Sequence, residues 1–361
     1  MKATQKLHDL GQSIWLDNIT REMLANRNLE RYINDLSVTG LTSNPTIFDH
    51  AIKNSSAYDD DIRYWSAQDK PTERVFFELA LQDLRRAAAL FRNVHERTNF
   101  LDGWVSLEIS PLLAYDGLRT QLAVEELSVR AGVRNLFIKI PGTAEGLCAI
   151  EEAIFKGIPI NVTLLFSQEH YVGAAEAFLR GIERRIRAGL NPRVDSVASV
   201  FVSRWDAAVA GKVPPQLQNR LGIAMAMRLY RTYRELLTSS RWQRIYNLGA
   251  RPQRLLWAST GTKDPHASDV LYIKALAAPF TVNTMPEKTL LALADHGDIG
   301  ATLPADGGDC EEVLAEFAKA GIDIDALGAQ LQEEGANAFV QSWKELMDVI
   351  DAKREALTAV G

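Results

Sequence analysis

Short apolar runs alternate with longer helical patterns along nearly the whole of this 361-residue chain. Eight runs have the length and composition of strands: Ser13–Asp17, Thr39–Ser43, Trp104–Ile109, Leu136–Ile140, Ile160–Phe166, Ala198–Val202, Leu255–Ser259 and Phe280–Asn283. Between them apolar positions recur at helical spacing, as in Thr72–Thr98, Gly117–Ala131, Ala144–Phe155, Gln168–Ala188 and Leu217–Leu237. Strands alternating with helices predict a parallel sheet with crossover connections, and eight of them predict a (β/α)8 TIM barrel slightly enlarged by insertions. A doubly wound open sheet is disfavoured, because no strand is followed by a Gly-rich dinucleotide loop. Pro214-Pro215 reads as a turn within a helical region.

From Asp309 onward the pattern is helical only. Gly307-Gly308 marks the break, Asp309 is positioned as a helix cap, and helices are expected over Glu311–Lys319 and from Asp325 to about Leu357. Phe339, Trp343, Leu346, Val349 and Ile350 recur at helical spacing, which predicts a long helix packed across the barrel with its aromatic residues in the core. The expected organisation is one barrel domain over residues 1–361, with the segment of about 309–358 packed on it.

Many strand candidates carry polar residues that a core would otherwise reject: Asp17, Ser43 and Asn44, Glu108, Lys139, Asn161 and Thr163, Ser199, Ser203 and Arg204, and Ser259 and Thr260. In a barrel the active site is assembled from strand C-termini and the loops after them. Any one of these residues equally fits a strand-end cap. Their recurrence on separate strands points to one shared pocket. Lys139 is the most informative. It sits in Leu136-Phe-Ile-Lys-Ile140, where a charge is costly unless paired or discharged. A lysine held there suits an amine that attacks a carbonyl to form a Schiff base. On this segment alone, a buried stem with a salt-bridged head fits as well. Schiff-base chemistry also requires proton donors and acceptors, and Asp17 and Glu108 are the obvious carboxylates. Asn44, Asn161, Thr163 and Ser199 suit hydroxyl or water binding, and Arg204 suits a phosphate.

Composition narrows the partners only a little. A net charge of −6 argues weakly against nucleic acid or an anionic membrane as the main partner. The two cysteines, Cys148 and Cys310, lack metal-ligand spacing, so free thiols with inert burial are expected. No two of the six histidines have HxH or HxxxH spacing, and no metal or cofactor is expected. The N-terminus lacks the apolar core of a signal peptide, and no stretch approaches membrane-spanning length. The expectation is a soluble cytoplasmic protein, monomeric or homodimeric.

Two segments, Gly40-Leu-Thr-Ser-Asn-Pro-Thr-Ile-Phe48 and Phe137-Ile-Lys-Ile-Pro-Gly-Thr-Ala-Glu-Gly-Leu147, closely resemble the two signatures of the transaldolase family. The resemblance continues in order through Trp104–Ile109, Asn161–Ser167 and Ala198–Asp206, and is strongest to the longer actinobacterial and cyanobacterial members. It implies a class I aldolase barrel that moves a dihydroxyacetone unit from sedoheptulose 7-phosphate or fructose 6-phosphate to glyceraldehyde 3-phosphate or erythrose 4-phosphate, in the non-oxidative pentose phosphate pathway. Residue by residue, it implies that Lys139 is the Schiff-base lysine and Asp17 the acid/base at the C4 hydroxyl. Glu108, through a water held also by Thr163, would serve imine formation and hydrolysis. Asn44, Asn161 and Ser199 would hold the dihydroxyacetone moiety, Phe201 would line the pocket and Arg204 would bind phosphate. One departure stands out. Many members carry a second phosphate-binding arginine after the seventh strand, and here the segment reads Ala258-Ser-Thr-Gly-Thr-Lys263 with Gly261 at that place. Lys263 is near enough to supply a charge, but as a point charge rather than a planar fork.

Three other readings remain open at this level: an aldolase releasing free dihydroxyacetone, a glycoside hydrolase using Asp17 and Glu108 as its carboxylate pair, and a non-catalytic sugar-phosphate-binding barrel.

Overall fold

A computed structural model describes residues 1–358. The eight strands are β1 (Ser13–Asp17), β2 (Val38–Thr42), β3 (Trp104–Glu108), β4 (Leu136–Pro141), β5 (Ile160–Leu165), β6 (Ser196–Phe201), β7 (Gln253–Ala258) and β8 (Val282–Met285). They pair in chain order, and β8 pairs in parallel with β1 to close the barrel. Helices including Gly117–Ala131, Ala144–Lys156 and Gln168–Arg187 connect successive strands, which gives a (β/α)8 TIM barrel with added C-terminal helices. No helix among the described residues is long and apolar enough to cross a membrane.

Residues two apart on a strand share a face, so alternate residues of each strand fill the barrel. In the lower half the filling is apolar: Trp15, Trp104, Phe137, Val197, Leu256 and Val282 form one buried cluster. The Trp104 and Phe137 rings stack at 4.2 Å, and Trp15 and Phe137 lie 6.0 Å apart. Gly40 stands between Trp15 and Trp104 in the strand register, and a Cβ there would lie 2.5 Å from the Trp15 Nε1. That indole nitrogen donates at 2.8 Å to the buried carboxylate of Asp102, so the ring has no free direction in which to yield. Gly40→Ala is therefore expected to destabilise the barrel by about 1–3 kcal/mol through overpacking. A lowered Tm in a thermal melt checks this, and an unchanged one contradicts it.

Several boundaries differ from the sequence expectation. The helix expected over Thr72–Thr98 breaks at Phe91 into Thr72–Leu90 and Arg92–Arg97. The helix expected from Leu217 begins at Leu221, because Pro214-Pro215 spends Pro215–Leu217 on a 3-10 turn. Strand β8 starts at Val282 rather than Phe280, whose backbone is left-handed at φ 61°. Asp309 does precede the helix Cys310–Lys319, but its side chain makes no cap hydrogen bond and lies 3.8 Å from Arg220. Cys310 is buried as expected, whereas Cys148 is exposed, because it falls on the outer face of the helix Ala144–Lys156.

The C-terminal helix Ile324–Thr358 crosses the barrel end at which the strands terminate. Trp343 packs its ring 5.0 Å from Phe76 and 5.7 Å from Phe77. Phe339 corrects the expectation that the aromatic residues of this helix serve only the core. It faces Phe201 at 6.5 Å and lines the cavity described next.

Candidate active site

At the C-terminal end of the barrel a cavity of about 340 Å³ opens above the apolar plug. Asp17, Thr42, Lys139, Thr163, Ser199, Phe201 and Thr284 line it from six strands, and Asn44, Arg204 and Lys263 line it from the loops and helix starts beyond. Of the ten residues given a role from the sequence, only Glu108 and Asn161 are absent from this lining, and both are buried.

Lys139 is the centre of the arrangement. Its register partners are Glu108 on β3 and Asn161 on β5. Strand alternation thus sends all three side chains to the same face. The Nζ donates to the Glu108 carboxylate at 3.3 Å and to the Ser43 carbonyl at 3.1 Å. The ion pair and the cavity-facing amine are therefore both realised: the nitrogen has a counter-charge and still borders the open space. Burial pushes the Glu108 carboxyl above the usual carboxylate range, the charge and hydrogen bond of Lys139 pull it back, and Asp17 pushes it up again. The result is a carboxylate more basic than one in water, directly beside the amine.

Asp17 ends β1 on the opposite side of the amine from the β5 wall. Thr42 donates to its Oδ1 at 2.7 Å, and the Thr42 hydroxyl is itself 2.6 Å from that of Thr284 on β8. Burial raises the Asp17 pKa, while the charge of Lys139, the Thr42 hydrogen bond and the charge of Lys263 lower it. This Thr42–Thr284 brace was not read from the sequence. Threonine in a strand looks like ordinary β preference, and only the closure of β8 onto β1 brings the two hydroxyls together.

The polar wall is built from shared bonds. Asn161 donates to the Ser106 hydroxyl at 3.2 Å and accepts from Ser199 at 2.6 Å. Its amide is thus committed within the protein, and Ser199 is the member of the pair that reaches the cavity. Asn44 caps the helix Pro45–Lys53 by accepting from the Ile47 N–H at 3.1 Å, which leaves its amide nitrogen for a ligand. The Thr163 hydroxyl is buried and has no hydrogen-bond partner among the described residues. A buried hydroxyl is costly when unpaired, so this one is set to engage a molecule in the cavity.

The outer rim is cationic. Arg204 is half-buried, its guanidinium 5.9 Å from the centre of the Phe201 ring, and burial lowers its pKa. Lys263 is exposed at the mouth. Among the described residues, neither has a carboxylate within ion-pair distance. His50 and Thr46 add polar groups to the rim from the helix Pro45–Lys53, and neither was singled out from the sequence. Gly261 lines the same stretch without a side chain. A buried amine with a carboxylate on either side, hydroxyls and amides between them and two unpaired cations at the entrance can form an imine with a carbonyl and hold a phosphorylated chain.

The sequence profile of the Transaldolase/Fructose-6-phosphate aldolase family matches residues 14–350. The chain is 41% identical to a transaldolase of Saccharopolyspora erythraea, over 96% of each protein. It is 42% identical to a transaldolase of Acidothermus cellulolyticus, over 97% of this chain and 96% of the relative. It is 37% identical to transaldolase 2 of a Nostoc species, over 98% of both.

Proposed function

The chain belongs to the transaldolase/fructose-6-phosphate aldolase family, and from that premise we propose how its own residues carry out transaldolase chemistry. The observation that carries the reading is the placement of the Lys139 Nζ: it borders a 340 Å³ cavity while lying 3.3 Å from the Glu108 carboxylate. Lys139 attacks the C2 carbonyl of a ketose phosphate. Glu108, the more basic for its burial, takes up the proton from the amine and returns one to the departing hydroxyl, so that water leaves the carbinolamine. A water held between Glu108 and the free Thr163 hydroxyl relays these protons and later hydrolyses the imine.

In the iminium, Asp17 removes the C4 hydroxyl proton. The C3–C4 bond breaks, its electrons pass into the iminium to give an enamine, and the shortened aldose leaves. The three-carbon unit stays on Lys139 until an acceptor aldehyde adds by the same steps reversed. Asn44 and Ser199 hold its hydroxyls, and Asn161 acts by fixing Ser199. Phe201 and Phe339 add aromatic surface to one side of the cavity, which supports retention of the enamine for transfer over its release. A cytoplasmic site of action fits the two unpaired thiols.

Incubation with fructose 6-phosphate and borohydride followed by mass spectrometry tests the reading. The expected result is a three-carbon adduct on Lys139, and a labelled peptide elsewhere contradicts it. Without acceptor aldehyde, dihydroxyacetone release is expected to lag far behind aldose formation in its presence. Equal rates would instead indicate an aldolase.

Arg204 and Lys263 are assigned to the substrate phosphate. Arg204 offers a planar fork already stripped of much of its water, and Lys263 adds a solvated point charge. Lys263→Ala is expected to raise KM for phosphorylated donors roughly tenfold, the loss of one charge-assisted contact, with kcat little changed. Steady-state kinetics with fructose 6-phosphate and unphosphorylated fructose checks it, because the second donor should be indifferent to the change.

A further inference from the structure

Strands β5 and β6 fall out of step at the site. Val162 pairs with Ala198 but Leu165 with Val200, so Thr163 and Leu164 together oppose Ser199. Leu164 adopts φ 60° to make this bulge. A left-handed backbone brings the Cβ of an ordinary residue against its own carbonyl, so a buried leucine keeps it only when its surroundings impose it. Bulges re-aim the side chains beside them. The neighbour here is Thr163, whose buried hydroxyl lines the cavity and has no partner among the described residues.

The constraint comes from the C-terminal helix. Gln332 donates its side-chain amide to two carbonyls, Gly142 at 3.1 Å and Leu164 at 3.0 Å. The Gly142 N–H in turn donates to the Thr163 carbonyl at 2.8 Å. One amide therefore ties the chain just past Lys139 to the bulge that carries Thr163. The helix comes this close because residue 335 is glycine: a Cβ there would stand 3.0 Å from the Leu164 Cδ2. The same helix is anchored independently by Trp343, Leu346 and Ile350, all buried.

We propose that Gln332 is a positioning residue for imine formation, holding the left-handed Leu164 bulge so that the Thr163 hydroxyl is aimed at the water beside Lys139. The inference rests on the role assigned to Thr163 above. Gln332 touches no reacting atom. Its effect falls on the step that Thr163 serves and not on the carbon–carbon cleavage served by Asp17, which stands on a different strand with its own brace.

The test uses Gln332→Met, which keeps length and removes the donor, in the full-length enzyme. Rapid mixing with fructose 6-phosphate and borohydride quenching measures imine formation, and the ratio of three-carbon to intact-sugar adduct reports cleavage. Imine formation is expected to slow roughly tenfold to hundredfold, as small misplacements of catalytic groups do, with the adduct ratio unchanged. Thr163→Val should slow the same step, and adding Gln332→Met to it should change the rate less than about twofold, since the two act as one unit. Gly335→Ala, which presses on Leu164 from the same helix, should reproduce the effect without touching Gln332. A slow Thr163→Val enzyme beside a normal Gln332→Met enzyme overturns this inference alone. An equal slowing by Gln332→Met in both backgrounds also overturns it, because the loss would then be general. A normal rate in Thr163→Val removes the role of Thr163 and this inference with it.

Discussion

Replacement of Lys139 by methionine is expected to bring dihydroxyacetone transfer down to background, a loss on the order of 10⁴-fold or more, as when an enzyme loses its nucleophile. Methionine matches the length of the lysine stem and cannot form an imine, so the borohydride adduct should disappear together with the activity. Persistence of the adduct at another lysine would sink the assignment. The substitution also leaves Glu108 buried without its cation. Burial already raises the Glu108 pKa, and Lys139 is what holds it down. A carboxyl whose pKa is higher folded than unfolded adds stability below its unfolded pKa and loses it as pH rises through the folded value. In Lys139→Met that upper value moves further up. The Tm of the variant should therefore fall more steeply than that of the parent between mildly acidic and neutral pH. The loss is about 1.4 kcal/mol for each unit by which the folded pKa exceeds the unfolded one. Melting curves across that range show the difference directly.

Asp17→Asn is the second large effect, and it separates the two halves of the reaction. Asparagine keeps the shape of the side chain and its hydrogen bond from Thr42, but it cannot accept the C4 hydroxyl proton. Aldose release is expected to fall by about 10² to 10⁴, the usual contribution of a positioned base. Imine formation, which belongs to Lys139 and Glu108, should proceed. Borohydride would then trap the intact ketose on Lys139 instead of the three-carbon unit, a mass difference that is simple to read. A three-carbon adduct forming at the parental rate would remove Asp17 from the cleavage step. The pH dependence follows from the same group. Asp17 must be ionised to act as the base, and burial raises its pKa above the ordinary 3.8. The acid limb of the cleavage rate in the parent enzyme should accordingly lie above the usual carboxylate range and vanish from the residual rate of the variant.

The carboxylate pair also bears on the other readings. A glycoside hydrolase needs both carboxyl groups free to face the scissile bond. Here Glu108 lies below the cavity lining and is hydrogen-bonded to Lys139, so it is placed to serve the amine. A purely binding barrel has no need to bury a lysine and a glutamate together, since removing one partner of such a pair is strongly destabilising and the pair itself contributes little.

What was legible in the chain was whatever announced itself locally. Lys139, Asp17 and Glu108 are charges inside or at the end of apolar runs, and such a charge is visible as a violation of the strand pattern. The strand and helix alternation was visible for the same reason, because periods of two and of about 3.6 are properties of neighbouring residues. Errors fell where the local signal was silent. Ser196, Gln253 and Arg254 begin strands with polar residues that find partners only in the folded barrel: Gln253 donates to the Ser196 hydroxyl at 3.0 Å, and Arg254, on the other face of its strand, donates to Ser13 at 2.8 Å. Thr42 and Thr284 look like structural threonines until closure pairs them. Phe339 looks like core until the helix that carries it is laid over the barrel mouth. Gln332 has no sequence signal at all, since its two acceptors lie 190 and 168 residues away.

The amino-acid order alone determined that eight parallel strands would form, which strand positions would present an amine and two carboxylates, and that an arginine would follow the sixth strand. These follow from interactions a segment has with itself and with water. Tertiary structure decided the rest. Barrel closure sets Asp17 of the first strand against threonines of the second and eighth, and the register of the third, fourth and fifth strands places Glu108 beside Lys139 and Asn161 beneath the cavity. The docking of the last helix closes the roof and clamps the bulge behind Thr163. Contacts between segments hundreds of residues apart are set by register and by close approach at glycines, and neither leaves a periodic trace along the chain.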